Sequence, residues 1–158
     1  MQKITIIGTG PAALILAAHI DTSRFQVTMY EKNAAPARKF LVAGDGGLNI
    51  THGEDLKDFI SRYTPAAFLA PVIRAFTPEQ LCLWLEENGI PTFMGSSKRV
   101  FPDDDIKPID VLKRITETVE KNNVTIHKNH EWVGWENDKL IFKTKTGGQL
   151  SVESDFTV

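Results

Sequence analysis

Gly8-Thr9-Gly10-Pro11-Ala12-Ala13 places two glycines, a proline and two alanines around one threonine, and Glu31 follows about twenty residues on. Residues of these types at this spacing can hold a diphosphate and a sugar. Gly8 permits a tight turn, and Gly10 lets backbone approach a pyrophosphate with no Cβ in the way. Thr9, between them, belongs to the same cradle. Pro11 suits the first position of a helix, where its missing N–H costs nothing. From Ala12 onward, free N–H groups and the positive end of the helix dipole would face the phosphates. Ala13 stands where a third glycine is usual and is small enough for close helix–strand packing. Glu31 is a carboxylate that accepts hydrogen bonds from ribose hydroxyls and repels a 2′-phosphate, which disfavours NADP.

Such residues work only if flanking elements aim them. Ile4-Thr5-Ile6-Ile7 reads as a strand, Ala12 to Ile20 as a helix, and Gln26 to Tyr30 as a second strand ending directly before Glu31. Strand, glycine turn, helix, strand, acid is the context that predicts an adenine dinucleotide site. The plainer alternative is a structural loop whose glycines only turn the chain.

At 158 residues the chain lies within the range of one domain. Its hydrophobic fraction of 42% and charged fraction of 24% are those of an ordinary soluble globular protein. A net charge of −2 gives no electrostatic reason to expect nucleic acid or a membrane surface as partner. No apolar stretch approaches the ~18 residues needed to span a bilayer. The N-terminus enters a strand almost at once, so no secretory signal is expected. A single cysteine, Cys82, fits a reducing cytoplasm, and within an amphipathic helix it reads as a small buried apolar residue.

Further along, Ala34 to His52 is loop-like and rich in Gly and Ala, and Glu54 to Tyr63 and Pro65 to Phe76 read as helices. A clearer helix runs from Pro78 to Asn88, with Thr77 and Gln80 forming a capping box and Gly89 the stop. Ile90 to Met94 and Val100-Phe101 read as short strands around a turn at Gly95-Ser96-Ser97. Ile109 to Lys121 carries Leu112, Ile115 and Val119 at helical spacing. The period then becomes two: Val124 to His127, Glu131 to Glu136, Lys139 to Thr146 and Gln149 to Val152 are predicted strands, turning at Asn137-Asp138 and Gly147-Gly148. The last three make an antiparallel meander. Phe156-Thr157-Val158 begins another strand.

The segment from Ala37 to His52, with Arg38-Lys39 and Gly44-Asp45-Gly46-Gly47-Leu48-Asn49-Ile50-Thr51-His52, is more specific than the glycine turn. It resembles the GRK…SGxGxxNxT block of the aminoacetone-oxidase-like, bile-acid-reductase-like FAD-dependent flavoproteins, in the GGLNxTH form of a bacterial branch. Gly95 to Pro102 and His130 to Trp135 agree with the same group, so the resemblance runs from residue 3 to the C-terminus. It implies an α/β, Rossmann-like FAD/NAD(P)-binding fold of glutathione-reductase type, with a parallel sheet and an antiparallel β-meander. Members are much longer and carry a cap domain and a further flavin-contacting segment. Residues 1–158 are accordingly expected to be the N-terminal part of an FAD-binding domain.

The resemblance also implies roles. Gly8, Thr9, Gly10, Pro11 and Ala12 are expected at the FAD pyrophosphate, Glu31 at the adenosine ribose and Lys32 beside it. Arg38 and Lys39 would neutralise the diphosphate or contact the ribityl chain, the alternative being solvated surface charges. Gly44, Gly46 and Gly47 would bring backbone to the flavin, and Asn49 would bond the isoalloxazine or simply fix the loop. Trp132 or Val133 would offer backbone groups to adenine, while Trp132 serves equally well as core. Two departures stand out: Ala37 replaces the usual Gly before Arg-Lys and restricts that turn, and Asp45 must point away from a diphosphate or pair with Arg38 or Lys39.

His19, His52, His127 and His130 show no metal-ligand spacing, and no metal is expected. Asp103-Asp104-Asp105 reads as a solvated run capping the following helix. The function expected is FAD binding within an FAD-dependent oxidoreductase in the cytoplasm, with an unknown small-molecule substrate and no identifiable catalytic base. The alternative is a truncated, non-catalytic fragment that binds adenine nucleotides weakly. In such a fragment a sheet missing its neighbouring strand would expose an edge that favours a homo-oligomer.

Overall fold

A computed structural model describes residues 1–43 and 47–158. In chain order the elements begin β1 (Gln2–Ile7), α1 (Pro11–His19), β2 (Phe25–Glu31), α2 (Arg38–Ala43), β3 (Thr51–His52), α3 (Leu56–Ser61), α4 (Ala66–Ala75) and α5 (Pro78–Glu87). They continue as β4 (Thr92–Met94), β5 (Arg99–Pro102), α6 (Pro108–Lys121), β6 (Thr125–Lys128), β7 (His130–Glu136), β8 (Lys139–Thr144), β9 (Gln149–Val152) and β10 (Phe156–Thr157). Two compact units result: Met1–Val42 with Ile115–Val158, and Ala43–Arg114.

The first unit is Rossmann-like, as its strand–helix–strand pattern predicts. A wholly parallel sheet has the order β10-β1-β2-β6. Parallel neighbours need a crossover, which α1 supplies between β1 and β2. Ile6, Val27 and Met29 lie on one face of the sheet by strand alternation and register, Thr5 lies on the other, and all four are buried, as are Leu14 and Ala17 of α1. Asn122, in the turn after α6, ties down the far end of α1. Its Nδ2 donates to the carbonyls of Ala17 and Ile20, both at 2.9 Å.

The expected meander is present as the antiparallel sheet β7-β8-β9. Its first hairpin turns on Asn137 (φ 48°) and Asp138 (φ 61°), the left-handed pair that a two-residue turn requires. Leu140 and Phe142 of β8 form a buried cluster with Tyr30 of β2, flanked by Ile7, Leu150 and Val152. Tyr30 stacks on Phe142 with ring centres 4.2 Å apart. The meander thus packs against the carboxyl end of β2, one residue before Glu31.

In the second unit, β3-β5-β4 form a small antiparallel sheet accompanied by helices. The predicted capping box of α5 is formed: the Gln80 N–H donates to Thr77 Oγ1, and the Thr77 N–H to Gln80 Oε1. Several sequence expectations need correction. The stretch 34–52, read as loop, contains α2 and β3. Its Gly and Ala content hid a six-residue helix too short to show a periodic face. Helices expected over 54–63 and 65–76 are shorter, and β8 ends at Thr144. At the start of α6, Asp110 Oδ2 accepts the Lys107 N–H, a first-turn acid reaching back to the residue before the helix.

Candidate functional site

The carboxyl ends of β1 and β2 and the amino end of α1 meet at one corner of the first unit. Gly8 has φ +96°, a left-handed conformation that side chains rarely adopt, and its N–H donates to the Tyr30 carbonyl at 2.7 Å. Gly10 is the N-cap of α1 with φ −65°, and its carbonyl accepts the Leu14 N–H at 2.9 Å. Pro11 occupies the first turn as expected, and no side chain caps this helix end. The Ala12 and Ala13 N–H groups precede the first intrahelical bond. A Cβ built on Gly10 would meet nothing within 4 Å. Gly10 therefore has no conformational need to be glycine, and what its missing side chain leaves is clear space before an α-helix amino end. That cradle fits a diphosphate.

Glu31 ends β2, 7% exposed, with its carboxylate turned to the glycine turn. Oε2 accepts the Thr9 hydroxyl at 2.6 Å and the Thr9 N–H at 3.2 Å. Oε1 accepts the Asn33 N–H at 2.8 Å and Asn33 Nδ2 at 2.6 Å. Burial works to raise the Glu31 pKa, but the donors from Thr9 and Asn33 outweigh it and hold the carboxyl below the ordinary glutamate value. Thr9 is fully buried, so its side chain serves the carboxylate and not solvent.

Sequence reasoning placed Glu31 beside the cradle but missed this second layer. In the sequence Thr9 reads as part of the cradle, and Asn33 does not stand out. The available signal was a hydroxyl residue between two glycines and an amide two residues past the acid, where side chains bond backbone and neighbours locally.

The remaining predicted residues divide between the units. In the first, Lys32, Arg38 and Lys39 are exposed. Ala37 has φ +48°, so the turn where the resembling family carries glycine is strained by its methyl group. Trp132 and Val133 are 39% and 46% exposed, so Trp132 is not core. The β7–β8 register shifts between Trp132 and Gly134, leaving Val133 as the extra residue of a bulge. In the second unit, Gly47 has φ +110°, and Asn49 fixes its own loop, donating from Nδ2 to the Thr51 carbonyl at 3.0 Å. Gly44, Asp45 and Gly46 lie outside the described residues.

The second unit also holds a cavity of about 360 Å³, lined by His52, Glu79, Cys82, Phe93 and Met94 among others. Cys82 is therefore half-buried at a cavity wall, not enclosed in a core. His52 Nδ1 lies 3.3 Å from Glu54 Oε1 without hydrogen-bond geometry. The Glu54 carboxylate is bound to Arg62, which holds it below the usual carboxylate range.

Among the described residues, no helix is long and apolar enough to cross a membrane. Similar folds occur in solved structures at low sequence identity. THI4 from Thermovibrio ammonificans aligns with a TM-score of 0.64 and 11% identity, over 99% of this chain and 55% of its own. The 3-ketosteroid-Δ4-(5α)-dehydrogenase from Rhodococcus jostii RHA1 gives 0.61 and 14%, over 97% and 44%. The myxobacterial chondrochloren halogenase CndH, an FAD-dependent halogenase, gives 0.50 and 14%, over 99% and 37%. The chain thus spans about half or less of the length of these proteins, and the likeness is one of fold. The family model for the HI0933-like protein Rossmann domain matches residues 2–158, and the chain belongs to that family.

Proposed function

We propose that the first unit binds the ADP portion of FAD, and that the chain forms the dinucleotide-binding part of an FAD-dependent oxidoreductase of the aminoacetone-oxidase-like, bile-acid-reductase-like group. The observation that carries this reading is the steric room beside Gly10 at the amino end of α1, with an ionised Glu31 held at its side. Gly10 and the Ala12 and Ala13 amides receive the diphosphate, with Gly8, Thr9 and Pro11 shaping the turn. Glu31 receives the ribose hydroxyls, and its charge rejects a 2′-phosphate. Lys32, Arg38 and Lys39 are exposed cations of the same unit and add attraction for the diphosphate. Gly44, Gly46, Gly47, Asn49, Trp132 and Val133 are assigned on the family resemblance. The bound flavin supplies the hydride chemistry. The chain's own part is to bind and orient, and the substrate is left to the remainder of the catalytic architecture.

Titration of the purified chain with FAD, ADP, NAD and NADP tests this. Bound-flavin absorbance or quenched FAD fluorescence, with ADP competing and NADP excluded, is the expected outcome. A folded protein indifferent to both FAD and ADP would overturn the proposal, and tight NAD binding with FAD rejected would reassign the cofactor.

A further inference from the structure

The protein's own donors saturate the Glu31 carboxylate. A carboxylate oxygen offers two lone pairs, and here each oxygen already accepts two donors: Oε2 from Thr9, Oε1 from Asn33. A sugar hydroxyl that donates to Glu31 must therefore take the place of one of them. The four donors are unequal in freedom. The two on Thr9 are fully buried within the glycine turn. The Asn33 backbone is pinned on both sides, its N–H on Glu31 Oε1 and its carbonyl accepting the Asn129 N–H at 3.1 Å. Only the Asn33 carboxamide, half-buried and carried on rotatable side-chain bonds, can leave without moving backbone.

We infer that the Asn33 carboxamide stands in for a ribose hydroxyl on Glu31 Oε1 and swings away when an adenosine ligand binds. Asn33 is thus a positioning residue: it keeps the buried carboxylate satisfied and ionised in the free protein, and it competes with the ligand it makes room for. The inference rests on the dinucleotide reading above. Removing the carboxamide leaves Glu31 with three donors and an open position that a sugar hydroxyl can fill without displacing anything.

The test titrates ADP and 2′,3′-dideoxy-ADP, by calorimetry, into the wild-type chain and Asn33→Ala. ADP is expected to bind the variant about five- to tenfold more tightly, the worth of one hydrogen bond no longer exchanged. The dideoxy ligand is expected to bind both proteins alike. Weaker or unchanged ADP binding, or equal shifts for both ligands, makes Asn33 merely structural and overturns the inference. The wild-type protein gives a second readout that needs no variant: the Asn33 side-chain amide NMR signal should move with ADP and stay still with the dideoxy analogue, and the reverse refutes the exchange. If neither FAD nor ADP binds the wild type, the dinucleotide reading itself falls and takes this inference with it. If both bind and hydroxyl preference ignores Asn33, only the exchange is lost.

Discussion

Thr9 Oγ1 donates to Glu31 Oε2 at 2.6 Å across 22 residues of sequence, and the Thr9 amide joins it on the same oxygen. The contact ties the turn leaving β1 to the end of β2, so the cradle and its acid move as one piece. A hydrogen bond to a buried charged group contributes about 1.5–3 kcal/mol, and losing it leaves the carboxylate short of a partner. Thr9→Val, which keeps the shape, should lower unfolding stability at pH 7 by about that amount, while Thr9→Ser keeps the hydroxyl and should lose much less. Because the folded Glu31 pKa is depressed, this stability is present above the unfolded value and disappears as pH falls through the folded one. Urea unfolding at pH 7 and in the acid range should show the valine penalty shrinking with acidity. An unchanged penalty at low pH would mean the hydroxyl acts by packing alone.

The two glycines of the turn are glycines for different reasons, and substitution separates them. Gly8 is left-handed, so Gly8→Ala should cost about 1–2 kcal/mol of stability. Gly10 has an ordinary helix-entry backbone and open space where Cβ would stand. Gly10→Ala should cost no more than about 1 kcal/mol, because alanine is a poorer N-cap than glycine but the backbone is unstrained and the unfolded chain loses freedom. Its effect should appear in FAD affinity, as a loss of tenfold or more. Equal FAD affinity in the Gly10 variant would mean that no ligand approaches this backbone.

Asn122 closes the other end of the same helix, with one amide group spanning the Ala17 and Ile20 carbonyls. One carbonyl is in the last turn and the other at the C-cap, where the helix supplies no donors of its own. Asn122→Ala should destabilise the chain by about 1–3 kcal/mol, the cost of leaving part-buried acceptors without partners. Asn122→Asp should fare no better, since it replaces the donor by a repelling anion. A thermal midpoint matching wild type in both variants would show that water replaces the amide freely.

How much of this could be read in the sequence follows the range of the signals. The glycine turn, Pro11 and Glu31 are local, and so are the Thr77–Gln80 box and the Asn137-Asp138 hairpin; each is a pattern of a few residues with one physical meaning. Helix α2 was missed because six residues give no period. The bonds of Thr9 and Asn33 to Glu31 and the reach of Asn122 to α1 join residues that tertiary folding brings together, and their side chains look like ordinary polar positions in the chain. Trp132 was open between core and surface because an aromatic residue suits either, and only burial decides. Ala37 shows the opposite case: its departure from glycine predicted a restricted turn, and the backbone there is left-handed.

His127, at the junction of the parallel sheet and the meander, supplies a pH dependence whose sign is determined. Its ring stacks on Tyr30 at 5.0 Å and lies 5.5 Å from His130. Burial first, then the neighbouring His130, lowers its pKa below the ordinary histidine value. The folded protein therefore binds less proton here than the unfolded chain, whose histidine titrates near ~6.5, so stability rises with pH across that range. The contribution is whole above the unfolded value and is lost as pH falls below it, while Tyr30, the residue beside Glu31, loses a neutral stacking partner. His127→Phe keeps the aromatic contact without the proton. Unfolding midpoints measured between pH 8 and 5 should fall more steeply for wild type than for this variant. Parallel curves would remove His127 as the source and leave the slope to the other histidines.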